Sequence, residues 1–140
     1  MLQYKELFYD NGKKKYLGEV NDKNKCHGKG KAFYYNSNVA YEGEYRESKF
    51  NGTGKMFYID GKIAYQGEFF NNMKHGVGKL YTVNGTLIYE GEFLNDVKHG
   101  YGREYSKDTG EVIYQGKYEN NKRDINIEIK YENNKRIAII

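Results

Sequence analysis

The chain contains no proline and no tryptophan. Proline removes a ladder hydrogen bond from a strand interior, so its absence suits a chain made mostly of strands. A single cysteine, Cys26, excludes an internal disulfide. No apolar run approaches the roughly 18 residues of a membrane-spanning helix. The opening stretch, MLQYKELFYDNGKKK, has no apolar segment of the secretory type, so the expected compartment is the cytoplasm. Helical periodicity is absent throughout. Hydrophobic residues make up 38% of the chain, below the usual share of a globular domain, which excludes a thick aliphatic core. Charge of neither sign is blocked. The net charge of +4 comes from 23 basic and 19 acidic residues, interspersed as on a solvated, ion-paired surface.

Aromatic and glycine content stand out instead, with 16 tyrosines and 17 glycines. Rings bury large areas and tolerate a wet edge, so they can cover a thin sheet. They also recur. Tyr16, Tyr41, Tyr65, Tyr89 and Tyr114 are spaced by 25, 24, 24 and 25 residues. Each is followed two residues later by a glycine: Gly18, Gly43, Gly67, Gly91, Gly116. Glu19, Glu44, Glu68 and Glu92 come next, and a Gly-x-Gly follows at Gly28/Gly30, Gly52/Gly54, Gly76/Gly78 and Gly100/Gly102. A period of this length marks a stacked array whose units cannot bury their own apolar faces.

Within one unit, the residues from Tyr65 alternate as a strand, Asn71 to His75 read as a polar loop, and Gly76 to Val83 read as a second strand. Asn84-Gly85 signals a type I′ turn, in which both central residues need positive φ. Each unit is then a β-hairpin. Alternation puts Tyr65, Gly67 and Phe69 on one face and Glu68 and Lys79 on the other. Charge spacing suggests a register in which Glu44 faces Lys55, Glu68 faces Lys79 and Glu92 faces Arg103. Glu19 with Lys31 keeps the same sense, and Lys117 with Glu128 reverses it. Phe69 would then cover Gly78, and Phe93 would cover Gly102. The second strand adds one aromatic per unit: Phe33, Phe57, Tyr81, Tyr105. Residues 1–15 read as half a unit capping the N-terminal end, 16–113 as four full units, and 114–140 as an atypical C-terminal unit. In that last part Ile125, Ile127 and Ile129 alternate as a strand, and Ile137 and Ile139 belong to a final one.

The unit Tyr-x-Gly-Glu-aromatic, then His-Gly-x-Gly-Lys, then Asp/Asn-Gly, resembles the MORN repeat over almost the whole chain. Asn51 stands where that pattern has His, Lys117 where it has Glu, and Asp124-Ile125 where it has His-Gly. The resemblance implies an all-β, elongated, single-layer antiparallel meander of about five stacked hairpins, with a groove lined by repeat aromatics. It implies no catalysis and no cofactor. It also implies a scaffold, a dimerisation module or a phospholipid-binding module, and it extends to small stand-alone bacterial antitoxin-like or immunity-like proteins.

The residues themselves argue against catalytic and metal chemistry. His27, His75 and His99 sit at one repeat position, so successive copies lie about 9–10 Å apart and cannot share a metal ion. Gly-x-Gly-Lys lacks the spacing and the following helix of a phosphate loop. Each repeat glutamate has a basic residue at a fixed spacing, and no unit is singled out for acid–base work. Cys26 reads as an incidental thiol in a polar loop. What remains is binding. The leading expectation is a non-enzymatic protein-interaction module, in its sharper form an inhibitor or immunity partner of another protein such as a toxin. The alternative is an anionic phospholipid or membrane surface. Single-stranded nucleic acid is the weaker alternative, because +4 over a rod gives a thin electropositive groove. The candidate groove comprises Tyr65, Tyr89, Tyr114, Phe33, Phe57, Tyr81 and Tyr105. The candidate edge comprises Ile125, Ile127, Ile129, Ile137 and Ile139, through which a homodimer could pair.

Overall fold

In a computed structural model, which describes residues 1–124, 129–132 and 135–139 (the last two stretches by backbone alone), every regular element is a strand. The strands are β1 (Gln3–Phe8), β2 (Lys14–Val20), β3 (Cys26–Phe33), β4 (Val39–Arg46), β5 (Lys49–Phe57), β6 (Ile63–Phe70) and β7 (Met73–Tyr81). They continue as β8 (Leu87–Leu94), β9 (Val97–Tyr105), β10 (Val112–Glu119), β11 (Lys122–Arg123), β12 (Ile129–Glu132) and β13 (Lys135–Ile139). All join one open antiparallel sheet. Its order follows the chain from β1 to β10, then β12 and β13, with the short β11 paired to β10. β1 forms one outer edge and β13 the other. Ile125, Ile127 and Glu128 lie outside the described residues, and Ile129, Ile137 and Ile139 fall on β12 and β13.

Two kinds of turn alternate, and both differ from expectation. The loop expected over 71–75 is a two-residue turn, Asn71-Asn72, and the strand resumes at Met73. Both turn residues have positive φ, 49° and 70°, as a type I′ turn requires. Glu47-Ser48, Asn95-Asp96 and Asn120-Asn121 repeat it. Cys26, His27, Asn51, His75 and His99 are therefore strand residues and not loop residues. At the opposite edge, the Thr82 carbonyl accepts from the Gly85 amide and the Thr82 amide donates to the Thr86 carbonyl, both at 2.9 Å. Only Gly85 there has positive φ, 91°, so this is a turn closed by a left-handed glycine bulge and not type I′.

Neighbouring short turns are tied to each other. The Asn72 amide donates to the Phe50 carbonyl at 3.0 Å, and Asn72 Oδ1 accepts from the Phe50 amide at 2.8 Å. Asp96 repeats this with Lys74, Asn121 with Lys98, and Ser48 with Cys26. Asn72→Ala should therefore cost about 1–2 kcal/mol, combining one lost hydrogen bond with a left-handed residue that no longer suits its side chain. Thermal unfolding against Asn84→Ala, in an exposed turn of the other edge, checks it; equal losses would remove the turn ladder from the account. His27 and Asn51 serve the same edge, whereas the buried Nδ1 atoms of His75 and His99 have no hydrogen-bond partner among the described residues. His27 Nδ1 accepts from the Glu47 amide at 3.3 Å, and Asn51 Oδ1 accepts from the Asn71 amide at 3.4 Å. Asn replaces His there because both present an acceptor at that place.

The core is one layer of rings on one face. Tyr16, Tyr41, Tyr65, Tyr89 and Tyr114 are each at most 3% exposed. They lie against a row of glycines paired strand to strand from Gly18 to Gly116. Each hydroxyl donates to the carbonyl three residues on, as Tyr65 does to Glu68 at 2.9 Å. Edge-to-face contacts continue across units: Tyr65 meets Phe69 at 5.0 Å and Phe93 at 5.3 Å, and Tyr89 meets Phe93 at 5.1 Å and Tyr118 at 5.3 Å. A further side chain covers each ring, with Phe50 stacked on Tyr41, Lys74 over Tyr65 and Lys98 over Tyr89. At the position of Leu80 the fourth unit has Glu104, which interrupts the apolar row. Burial alone would raise its carboxyl, but hydrogen bonds from Arg123 and Tyr118, with Lys98 nearby, hold it below the ordinary range.

The expected register needs correction. Lys79 faces Gln66, Lys55 faces Glu42, Arg103 faces Glu90 and Lys31 faces Leu17, each two residues away from the charge-based assignment. The reason is the short turn together with extra residues bulged on β7 opposite Glu68, where Gly76 takes φ 76°. Gly78 is covered by Tyr65 and Gly102 by Tyr89, not by Phe69 and Phe93. Those phenylalanines instead pair with Gly52 and Gly76 of the preceding unit. The Lys117 partner expected at Glu128 lies outside the described residues.

Candidate functional site: a groove on the face opposite the tyrosines

Alternation sends the remaining repeat positions to the other face, where no second layer stands among the described residues. Gly18, Gly30, Gly43 and Gly54 floor a groove of about 570 Å³ there. Its walls are Tyr4, Leu17, Lys29, Lys31, Glu42, Glu44, Thr53, Lys55 and Gln66. A smaller hollow of about 250 Å³, over Gly102 and Gly116, has walls of Glu90, Tyr101, Arg103 and Gln115.

One wall is a row of side chains paired across every strand: Lys31, Glu42, Lys55, Gln66, Lys79, Glu90, Arg103, Gln115. Lys31 reaches Glu42 at 3.9 Å and Arg103 reaches Glu90 at 3.9 Å. Lys55 and Lys79 flank the uncharged Gln66 and make no ion pair with a described residue. Gln66→Glu should then raise stability by about 0.2–0.5 kcal/mol, while reversing Glu68 and Lys79 together should restore nothing. Thermal unfolding of Gln66→Glu, Lys79→Glu and the Glu68→Lys/Lys79→Glu double variant decides between the two registers.

The repeat glutamates on the other wall are structural acceptors. Glu68 Oε2 takes the Val77 amide at 2.6 Å, Glu92 the Tyr101 amide at 2.6 Å, Glu44 the Thr53 amide at 2.5 Å, and Glu19 the Lys29 amide at 2.8 Å. Each amide lies in the bulge that the left-handed glycine opens. The ordered carboxylates thus fix the shape of the groove.

The predicted aromatics divide between the faces. Tyr65, Tyr89 and Tyr114 are 1%, 0% and 0% exposed and belong to the core, so they line no open groove. Phe33, Phe57, Tyr81 and Tyr105 are half-buried on the open face near the longer turns, where Tyr105 donates to Glu90 at 2.7 Å. The wall residues Lys29, Thr53 and Gln66 were not singled out from the sequence, and Lys55 only as a cross-strand partner for Glu44. The alternation that assigned Glu68 and Lys79 to this face would have found them. Cys26 packs against the core beside Tyr16, and burial raises its thiol above the ordinary value, which opposes thiolate chemistry. Among the described residues no three metal-ligating side chains converge, and no helix is long and apolar enough to cross a membrane.

An open meander of tyrosine-packed hairpins around a glycine row defines an all-β repeat protein. The MORN repeat family model matches residues 22–39, 41–63, 65–87 and 89–110. The chain therefore belongs to the MORN-repeat family, whose repeats are generally involved in binding proteins or membrane lipids. No match appears among curated proteins.

Proposed function

We propose that this chain is a non-enzymatic protein-interaction module that engages its partner through the open face. One observation carries the reading. The tyrosine face is consumed by its own packing, whereas the open face keeps a groove and exposed apolar side chains, including Tyr101 at 61%. Exposed apolar surface of this kind marks a contact site. Affinity capture from the native host, with and without Val77→Ser/Tyr101→Ser, tests it. A partner retained equally by both forms would move the site elsewhere.

The sharper form is an inhibitor or immunity partner of another protein such as a toxin. It rests on likeness to small stand-alone bacterial repeat proteins, and an adjacent toxin gene would support it. A second reading is an anionic lipid surface, favoured by the unpaired Lys29, Lys55 and Lys79. Salt-dependent retention on anionic liposomes, with none on zwitterionic ones, would select it. Self-pairing through β13 is a further proposal, and light scattering of a concentration series tests it.

A further inference from the structure

The open face changes character along the array. Over β2 to β5 it is cationic: Lys29, Arg46 and Lys55 make no ion pair with a described residue, while the acids among them are engaged. Glu19 and Glu44 hold backbone amides, and Glu42 pairs with Lys31. Over β6 to β9 two of these three repeat positions are apolar, while the Lys55 position keeps Lys79 and Arg103. Phe70 and Leu94 stand where β4 has Arg46, and Val77 and Tyr101 stand where β3 and β5 have Lys29 and Thr53. Their exposures are 46%, 39%, 60% and 61%. Equivalent positions are about 9–10 Å apart, so these four side chains form one patch that runs into the cationic groove.

We propose that this face docks an extended segment of a partner protein in which apolar residues adjoin acidic ones. The apolar part lies over Phe70, Val77, Leu94 and Tyr101, and the carboxylates meet Lys29, Arg46 and Lys55. This inference rests on the protein-binding reading above. Charge complementarity selects a peptide over a bilayer. Glu42, Glu44, Glu90 and Glu92 interleave with the cations at roughly 5 Å spacing along the strand-stacking direction. A flat anionic surface must meet both signs, whereas a threaded chain can place single carboxylates between the glutamates. A groove floored by glycine backbone also admits a chain that a planar bilayer cannot follow.

The probes are a synthetic peptide of leucine and phenylalanine followed by glutamates, the same peptide with lysine for glutamate, and one with serine for its apolar residues. Phosphatidylserine vesicles form the fourth arm. Binding of the first peptide should shift amide resonances at Lys29, Thr53, Lys55, Val77 and Tyr101. It should weaken about tenfold on Lys29→Glu/Lys55→Glu, and as much on Val77→Ser/Tyr101→Ser. All four positions are exposed, so the sheet should stay folded in each variant. The charge reversals oppose Glu44 and Glu42 and should lower the melting temperature slightly. Lys29→Gln/Lys55→Gln, which makes no like-charge pair, should weaken binding with the melting temperature unchanged. The inference is overturned if the lysine peptide binds equally well, if shifts fall on the longer-turn edge at Tyr35, Ile59 and Val83, if only vesicles bind, or if no peptide binds. A native partner that holds both double variants undiminished would sink this inference and leave the protein-binding reading standing. Failure to capture any partner, with vesicles retained, would sink the reading itself.

Discussion

Raising the pH above about 10 should unfold the sheet within about two pH units. Burial holds the phenols of Tyr16, Tyr41, Tyr45, Tyr65, Tyr89 and Tyr118 above their ordinary value of 10.0, and the nearby carboxylates of Glu44, Glu68 and Glu92 add to it at Tyr41, Tyr65 and Tyr89. In the unfolded chain they ionise at about pH 10. The folded value is the higher one, so their contribution is fully present below the unfolded value and is lost as pH rises beyond it. Each phenol that ionises only when unfolded costs about 1.4 kcal/mol per pH unit, and six together cost on the order of 8 kcal/mol per unit. A domain holds about 5–15 kcal/mol in all. The share of the tyrosinate absorbance that belongs to these six of the sixteen tyrosines should therefore rise in one steep step together with the loss of far-ultraviolet circular dichroism. Gradual ionisation of these tyrosines with the sheet intact would show that the rings are wet and that the tiling is wrong.

Much of this fold was legible in the sequence because its information is local and repeated. The period, the hairpins and the division of Tyr65, Gly67 and Phe69 from Glu68 and Lys79 all follow from alternation. The register was not legible. It depends on a two-residue turn at Asn71-Asn72 and on a bulge at Gly76, and the partner of Glu68 is the Val77 amide, which no residue identity reveals. The sheet's covered face was also hidden. In a single layer both faces are nominally open, and Tyr65 becomes core only because Phe69, Phe93 and Lys74 close around it. Tyr65, Tyr89 and Tyr114 thus looked like a binding groove when they were the packing itself, whereas Phe33, Phe57, Tyr81 and Tyr105 do lie on the open face. The groove of the open face was missed for the converse reason, since Lys29, Thr53, Lys55 and Gln66 read singly as ordinary surface residues.

The glycine row should be the least tolerant part of the chain, and its two positions within one hairpin should fail in different ways. A Cβ at Gly67 would lie 2.5 Å from both the Gly78 Cα and the Val77 carbonyl oxygen, so β6 and β7 would have to separate. A Cβ at Gly78 would fall on the Tyr65 ring and hydroxyl, which neighbouring aromatics hold in place. Gly67→Ala and Gly78→Ala should each cost about 3 kcal/mol or more, at or above the upper end for overpacked cores. Tyr65→Ala alone should cost about 3–5 kcal/mol through the cavity it leaves. The combinations separate backbone from side-chain strain. Tyr65→Leu vacates the place of the phenol, so Gly78→Ala in that background should cost well under 1 kcal/mol more. Gly67→Ala should keep most of its cost there, because the two nearest atoms it meets are backbone and only the third, the Tyr65 hydroxyl at 2.7 Å, is removed. Denaturant unfolding of the three single variants, Gly67→Ala, Gly78→Ala and Tyr65→Leu, and of the two double variants closes both cycles. Equal rescue at both glycines would mean that the strands can part freely, and the row would then be a consequence of the tyrosines and not an independent constraint on the sheet.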